Sequence, residues 1–329
     1  MLKLFKKNMA LQVLLIVVAL VVLWWRSLVE PPALAVHDGD GILYALLVKV
    51  FGSLPRLCVV IAMLLVLAEG TVLNLTLADA KLVPQNTLLP IFLYVLCVSA
   101  STNTLTPMLL VCAVLIVFLR QLLVHGTLIT ISTGRICSAT ALVSICSMIY
   151  IPAAAFLLTY ILVATVYRLY NWRDIAALIL GLAAPYTFLV LVLYLADGLE
   201  PWWNGVVEAV ANIHISVLPV DTMSLVANIL FTVIVMVSIF FLWSKLSEKT
   251  TNWKTNAAVV MQITVGAVVM SLCSRLLPFE LTVLAAPFAL CGTHLLLPES
   301  VPHTYGRNKR RKWIYETLFV VIIIVAALC

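Results

Sequence analysis

Charged residues are scarce in this chain of 329 residues. Asp, Glu, Lys and Arg make up only 10% of the sequence, whereas 64% of it is apolar. A soluble domain has about 25% charged and about 45–50% apolar residues. A water-soluble globule, a disordered chain and a secreted disulfide scaffold are therefore excluded. The composition predicts an all-α, polytopic transmembrane helical bundle that forms a single integral membrane domain over residues 1–329.

Common catalytic and metal-binding motifs are also missing. The eight cysteines all fall in apolar stretches and none forms a CxxC pair, so neither a zinc site nor a disulfide framework is indicated. The sequence has no phosphate-binding glycine loop, no metalloprotease helix motif and no nucleophile elbow. The net charge of +6 comes from basic residues scattered between apolar runs. That pattern predicts membrane lipid as a partner and no nucleic acid.

The apolar runs predict about eleven transmembrane spans. With the N-terminus in the cytoplasm, sixteen of the 20 Lys and Arg residues fall in cytoplasmic segments, as the positive-inside rule requires. We predict separate spans on either side of Pro152, although residues 137–167 could instead form one long kinked helix. The predicted spans are 9–25, 56–78, 87–101, 107–124, 137–150, 152–167, 175–196, 222–243, 257–273, 282–297 and 313–329.

Two long loops lie on the predicted outer side. The first, 26–55, contains an Asp-Gly-Asp-Gly sequence followed by apolar residues at helical spacing over 42–51. The second, 197–221, contains Trp202 and Trp203, then an apolar stripe that leads to His214. Both patterns predict a short helix lying in the membrane interface. We predict that Trp202, Trp203 and His214 form the outer-loop interface.

The first loop carries the candidate catalytic residues, Asp38 and Asp40. They could bind a divalent cation, Mg²⁺ or Mn²⁺, that holds a pyrophosphate, because hard cations take oxygen ligands. Alternatively, one of them could be a general base for an acceptor hydroxyl. The neighbouring glycines would let a bulky ligand approach the backbone. As a structural alternative, Asp40 could cap the helix that begins at Gly41, and Asp38-Gly39 could be only a turn.

Four further residues are candidates because of their charge and position. Arg26, Arg56 and Arg275 are outer-side cations that could bind phosphate or lipid, since arginine makes paired hydrogen bonds to phosphate oxygens. Glu69 is an ionisable residue inside a predicted span, where such residues usually face a cavity or a partner. A protonated Glu69 that is hydrogen-bonded between helices is the structural alternative.

Several short motifs occur in the first 200 residues. They are Leu4-Phe5-Lys6, Leu82-Val83-Pro84-Gln85-Asn86-Thr87-Leu88-Leu89-Pro90, Ile149-Tyr150-Ile151-Pro152, and Asn171-Trp172-Arg173-Asp174 followed by Gly181 and Pro185-Tyr186. Together they resemble a family of bacterial polytopic inner-membrane proteins whose own function is uncharacterised, and the resemblance implies a bacterial inner membrane location. Eleven spans with a cytoplasmic N-terminus predict a periplasmic C-terminus. Members of the family often carry the label beta-carotene oxygenase, which implies an iron held by four histidines, whereas the five histidines here fall on both sides of the predicted membrane.

The layout also resembles, more distantly, the C-type (GT-C) glycosyltransferase superfamily. Its members have an acidic first outer loop, a surface helix after it, and a second surface helix after the seventh span. The resemblance implies a GT-C-like core over 1–200, with the second outer loop and C-terminal spans over 201–329. It further implies an enzyme that acts at the outer leaflet on a polyprenyl-phosphate-linked sugar. A non-catalytic component of an envelope assembly or secretion complex, with envelope protein partners, and a lipid or solute carrier remain as alternatives.

Overall fold

The computed structural model is helical throughout the residues that it describes. These are 9–36, 39–84, 86–123, 132–167, 171–211, 233–234, 236–237, 240, 250–273, 281–296, 316–317 and 319–324. No β-strand occurs in these ranges, and a single isolated antiparallel bridge joins Asp40 to Tyr150. The predicted all-α class is thus confirmed for the described part of the chain.

Twelve α-helices and one short 3₁₀ helix make up the described bundle. The 3₁₀ helix, Ile151–Ala155, lies between α7 and α8. The α-helices are α1 Met9–Leu23, α2 Trp25–Val29, α3 Ile42–Phe51, α4 Pro55–Asp79, α5 Leu89–Ser99, α6 Pro107–Leu122, α7 Thr133–Ile149, α8 Phe156–Tyr167, α9 Trp172–Leu195, α10 Leu199–Ala211, α11 Thr251–Cys273 and α12 Leu281–Leu296.

Three helical segments are long and apolar enough to cross a membrane: Met9–Val29, Pro55–Asp79 and Trp172–Leu195. Six shorter apolar segments of 10–17 residues accompany them in the described ranges. Each of the first seven predicted spans contains a helix, as do 257–273 and 282–297. Most of 222–243 and of 313–329 lies outside the described residues. The chain is therefore an all-helical protein with membrane-like helices, and the number eleven stays a prediction.

Helix α5 lies at the centre of the bundle. All eleven of its residues are buried, and it packs against α1, α4 and α12. A helix that is apolar on every side is stable only where other helices surround it. The α5 sequence, which begins with Leu89-Pro90-Ile91 and carries no charged residue, fits that position.

The chain reverses direction between α7 and α8. Along the α7–α9 contact, Ser144 Oγ donates to the Leu182 carbonyl at 2.8 Å, and Ser147 Oγ lies 2.6 Å from the Tyr186 hydroxyl. Residue numbers rise together along this contact, so α7 and α9 run parallel. Helix α8 connects them and must run antiparallel to both. The Pro152 break thus divides two antiparallel helices, and residues 137–167 do not form one kinked helix.

The helix ends form two groups, one at each end of the bundle, and hydrogen bonds show which helix ends lie together. At one end, which we call the Asp40 end, Trp24 Nε1 donates to Ser99 Oγ at 2.8 Å, and the Tyr44 hydroxyl donates to the Leu105 carbonyl at 3.2 Å. The Asp40–Tyr150 bridge lies at this end as well. Both predicted outer loops are therefore anchored by the same group of helix ends.

The opposite end of the bundle, where α4 ends at Asp79 and Ala80 follows, is called the Ala80 end, and it has its own hydrogen bonds between helices. The Leu88 backbone N–H donates to Gln12 Oε1 at 2.8 Å, and the Tyr167 hydroxyl donates to the Leu122 carbonyl at 2.8 Å. These contacts join the start of α1 and the ends of α6 and α8. Helix α1 consequently begins at the Ala80 end, whereas α6 and α8 begin at the Asp40 end and finish at the Ala80 end.

Candidate functional site

A large cleft lies at the Asp40 end of the bundle, with a volume of about 1430 Å³. Four parts of the chain line it. They are the segment from Gly39 to Ala45, the break between α7 and α8, the last two turns of α9, and helix α10. A helix forms in each of the two segments predicted to lie in the membrane interface, Ile42–Phe51 and Leu199–Ala211, and both helices contribute to the lining.

Asp40 is fixed in the cleft wall by its backbone neighbours. The Gly41 N–H donates to the Ile149 carbonyl at 2.8 Å, and the Ile151 N–H donates to the Gly39 carbonyl at 3.0 Å. Asp40 itself is half-buried, and its Oδ1 atom is inaccessible to solvent. The first loop is thus attached at this point to the end of α7.

The glycines beside Asp40 are required by the fold of the chain itself. A Cβ atom on Gly41 would lie 1.9 Å from the Met148 carbonyl oxygen, and Gly39 has a φ of +101° that disfavours other residues. The backbone at the end of α7 therefore occupies the space that a side chain at Gly41 would need, and the approach of a ligand to these glycines stays a prediction. Asp40 is not the helix cap either, because the N-cap position of α3 belongs to Gly41.

The second outer loop enters the cleft through a specific helix ending. Helix α9 ends at Leu195, and Asp197 follows with a left-handed φ of +53°. The Gly198 N–H donates to the Leu193 carbonyl at 2.9 Å, and the Asp197 N–H donates to the Tyr194 carbonyl at 3.3 Å. These two bonds form a Schellman motif, in which glycine is the usual left-handed residue. Asp197 holds this strained position on the cleft lining.

Helix α10 brings Trp202 and Trp203 to the cleft lining, and their role at an outer-loop interface stays a prediction. Their ring centroids are 6.4 Å apart, and the ring planes are inclined by 55°. Trp203 is exposed and Trp202 is half-buried. His214, the third residue of that prediction, lies outside the described residues.

A tyrosine–serine pair lies on the α7–α9 side of the cleft. The Ser147 hydroxyl donates its only proton to the Ser144 carbonyl at 2.7 Å, so the Tyr186 hydroxyl is the donor in its 2.6 Å contact with Ser147 Oγ. The kink-prone Pro185 precedes Tyr186 and lacks an N–H group. No signal in the sequence pairs Ser147 with Tyr186, since only the parallel packing of α7 and α9 brings them together.

The described cleft lining is acidic. Asp40, Asp197, Glu200 and Glu208 line the cleft, whereas no described Lys, Arg or His does. Burial of the phenol, together with the nearby negative charge of Asp40, raises the pKa of Tyr44 to about 12. This part of the cleft therefore favours ligands that donate hydrogen bonds or carry positive charge.

The described members of the predicted phosphate-binding arginines do not line the cleft. Arg26 lies on α2 and Arg56 on the first turn of α4, and both are exposed and absent from the cleft lining. Arg275 lies outside the described residues, as does Asp38. The position of an arginine on the outer side can be predicted from span counting, but its place around the bundle cannot.

Glu69 belongs to a separate buried contact. It is 4% exposed, and its Oε2 atom accepts a hydrogen bond from the Tyr94 hydroxyl at 2.6 Å. Its Oε1 atom is buried without a hydrogen-bond partner. Glu69 does not line the cleft, and the contact joins α4 to α5, as the structural alternative predicts.

Within the described ranges, no three His, Cys, Asp or Glu side chains are grouped so that they could hold a metal ion. Mg²⁺ is usually held by one or two carboxylates together with substrate phosphates and waters. A cation held by Asp38 and Asp40 with a pyrophosphate therefore stays a prediction. Comparison with known proteins gives no further assignment, because no family model, curated protein or solved structure matches the chain.

Proposed function

We propose that this protein is a glycosyltransferase-like membrane enzyme that acts at the outer leaflet of a bacterial inner membrane on a polyprenyl-phosphate-linked sugar. The observation that carries the proposal is the meeting of both outer loops at one large cleft. Asp40 from the first loop and Trp202 and Trp203 from the second all line that cleft. A scaffold needs no such convergence of a carboxylate and aromatic rings.

The chemistry of the lining supports a sugar as the ligand. Ionised carboxylates only accept hydrogen bonds, and the hydroxyl groups of a sugar donate them. The cleft offers four carboxylates together with the rings of Trp202 and Tyr194. Aromatic faces suit the apolar C–H side of a sugar ring, since they bury apolar area without competing for its hydroxyls.

Asp40 is proposed as the general base. Its carboxylate takes the proton of an acceptor hydroxyl, and the acceptor oxygen bonds to the anomeric carbon of the sugar. The bond between that carbon and the phosphate oxygen breaks, and the polyprenyl phosphate leaves with the electron pair. A positioned base typically contributes about 10²–10⁴-fold to such a rate.

The acidic lining also indicates where the phosphate does not lie. Placing a phosphate beside Asp40 and Glu200 would bring like charges together, which is unfavourable. We therefore propose that the cleft holds the sugar and the acceptor hydroxyl, and that the phosphate lies at the rim. We propose no role for Arg26 or Arg56 in holding the phosphate.

Two features support the proposed placement at a membrane surface. Leu43, Leu46 and Val50 form an exposed apolar stripe on α3, with exposed fractions of 40%, 61% and 58%. An exposed stripe of this kind on a short helix suits the interface between lipid headgroups and acyl chains. The distribution of basic residues assigns the same loop to the outer side.

The proposal is tested with Asp40→Asn in a strain that lacks the native gene. We expect the strain to lose a sugar from its envelope glycans and to accumulate the polyprenyl-phosphate sugar, both measured by mass spectrometry. The matched control is Asp79→Asn, because Asp79 is exposed at the Ala80 end. Unchanged glycans in a stable double variant, with Asp38 and Asp40 both replaced by alanine, would refute the proposal.

A further inference from the structure

Tyr150 is the residue paired with Asp40 in the isolated bridge. The two backbone hydrogen bonds of this bridge run between the flanking residues, from Gly41 to Ile149 and from Ile151 to Gly39. This is the pattern of a non-hydrogen-bonded antiparallel pair, in which the Cα atoms are about 4.5 Å apart and the side chains project to the same face. The Asp40 and Tyr150 side chains are therefore neighbours.

Tyr150 is held firmly at this position. Its backbone N–H donates to the Cys146 carbonyl at 2.9 Å, and its carbonyl accepts from the Ala153 N–H at 3.0 Å. The side chain is 1% exposed although it lines the cleft. Its ring also covers Gly39, because a Cβ atom there would lie 3.8 Å from Tyr150 Cε2. Tyr150 is thus fixed by α7 on one side and by the 3₁₀ helix on the other.

We propose that Tyr150 is the positioning residue for Asp40, with its phenol orienting the carboxylate towards the ligand. A phenol is a hydrogen-bond donor, and a carboxylate beside it is a strong acceptor. The break between α7 and α8 then has a functional role, because it places this phenol beside the first outer loop. This inference rests on the proposed role of Asp40 as the base.

The first experiment separates the hydroxyl of Tyr150 from its ring. Full-length protein in lipid nanodiscs is given polyprenyl-phosphate hexoses as the probe, and release of polyprenyl phosphate is followed against pH. Tyr150→Phe keeps the ring packing, so we expect an unchanged unfolding temperature, a rate at least about tenfold lower and a shifted pH profile. Tyr160→Phe is the matched control, because Tyr160 is a buried tyrosine of α8, 2% exposed, that does not line the cleft.

Two results distinguish the ways in which the inference could fail. If Tyr150→Phe has the same rate and pH profile as Tyr160→Phe while Asp40→Asn is inactive, the inference is overturned and the proposed function stands. An active Asp40→Asn would overturn the proposed function and, with it, the positioning role.

The second experiment tests the side-by-side geometry without any activity. Cα atoms at the separation of a non-hydrogen-bonded pair are within disulfide range. We expect the double variant Asp40→Cys, Tyr150→Cys to form a disulfide on mild oxidation, identified by peptide mapping. The single variant Asp40→Cys is the control for pairing with native cysteines. Absence of the bond between positions 40 and 150 in folded protein would overturn the geometry.

Discussion

Gly41→Ala is the substitution that tests the attachment of the first loop to the bundle most directly. An added Cβ atom would lie 1.9 Å from the Met148 carbonyl oxygen and 2.4 Å from its carbonyl carbon. Both atoms are backbone at the end of α7, so no side-chain rotation relieves the overlap. The loop must move away from Ile149 to accommodate the methyl group.

The size of the effect follows from what this movement breaks. The hydrogen bonds from Gly41 to Ile149 and from Ile151 to Gly39 each contribute about 1 kcal/mol net. Residual overlap in a packed region adds about 1–2 kcal/mol. We therefore expect Gly41→Ala to lower the free energy of unfolding by about 3–4 kcal/mol and to displace Asp40 from the cleft wall.

Gly205→Ala is the matched control for this measurement. Gly205 lies inside α10, and nothing lies within 4 Å of a Cβ atom built there. Alanine in such a position stabilises a helix by about 0.5–1 kcal/mol. Unfolding of both variants in mixed micelles, followed by tryptophan fluorescence, gives the two free energies. Equal stabilities for the two variants would refute the rigid backbone contact at Gly41.

Three other substitutions test neighbouring contacts. Gly181→Ala should separate α9 from α7 and lower the melting temperature of the lipid-solubilised protein, because an added Cβ would lie 2.1 Å and 2.3 Å from atoms of α7. An unchanged melting temperature would contradict this packing. The pKa of Tyr44, measured by absorbance at alkaline pH, should be about 12, and Tyr44→Phe identifies the signal because it lacks the phenol. Asp40→Asn should lower this pKa. Since the folded pKa exceeds the unfolded value near 10, the stability contributed by Tyr44 is present below pH 10 and lost as the pH rises towards 12. Tyr94→Phe should cost about 1–3 kcal/mol of unfolding free energy, because it leaves the Glu69 carboxyl group without the hydrogen bond that it now accepts; equal stability of variant and native protein would show that this contact contributes nothing.

Local patterns in the sequence predicted several elements well. The surface helix expected over 42–51 forms as Ile42–Phe51, because a glycine precedes its apolar residues and another follows them. The break at Pro152 follows from proline chemistry, since α7 ends at Ile149 and a new helix begins at Phe156. These features depend on residues that are neighbours in the chain.

Other features could not be predicted from local patterns. The pairing of the first loop with the α7–α8 break joins segments far apart in the sequence, and short glycine-rich segments carry little information about their partners. In the sequence, nothing distinguishes Asp197, whose backbone has a left-handed φ, from other polar loop residues. The arginines were assigned to a side of the membrane, whereas their direction around the helix axis depends on packing that the sequence does not specify.

The amino-acid composition and the spacing of apolar residues determined that this protein is an all-helical chain with membrane-like helices and two surface helices, because burial of apolar area is a property of each segment. Only the tertiary structure decided that Asp40, Tyr150 and α10 share one cleft. That outcome depends on the parallel packing of α7 and α9 and on a close backbone approach at Gly41. Both are contacts between distant segments, and their geometry is fixed when the helices pack together.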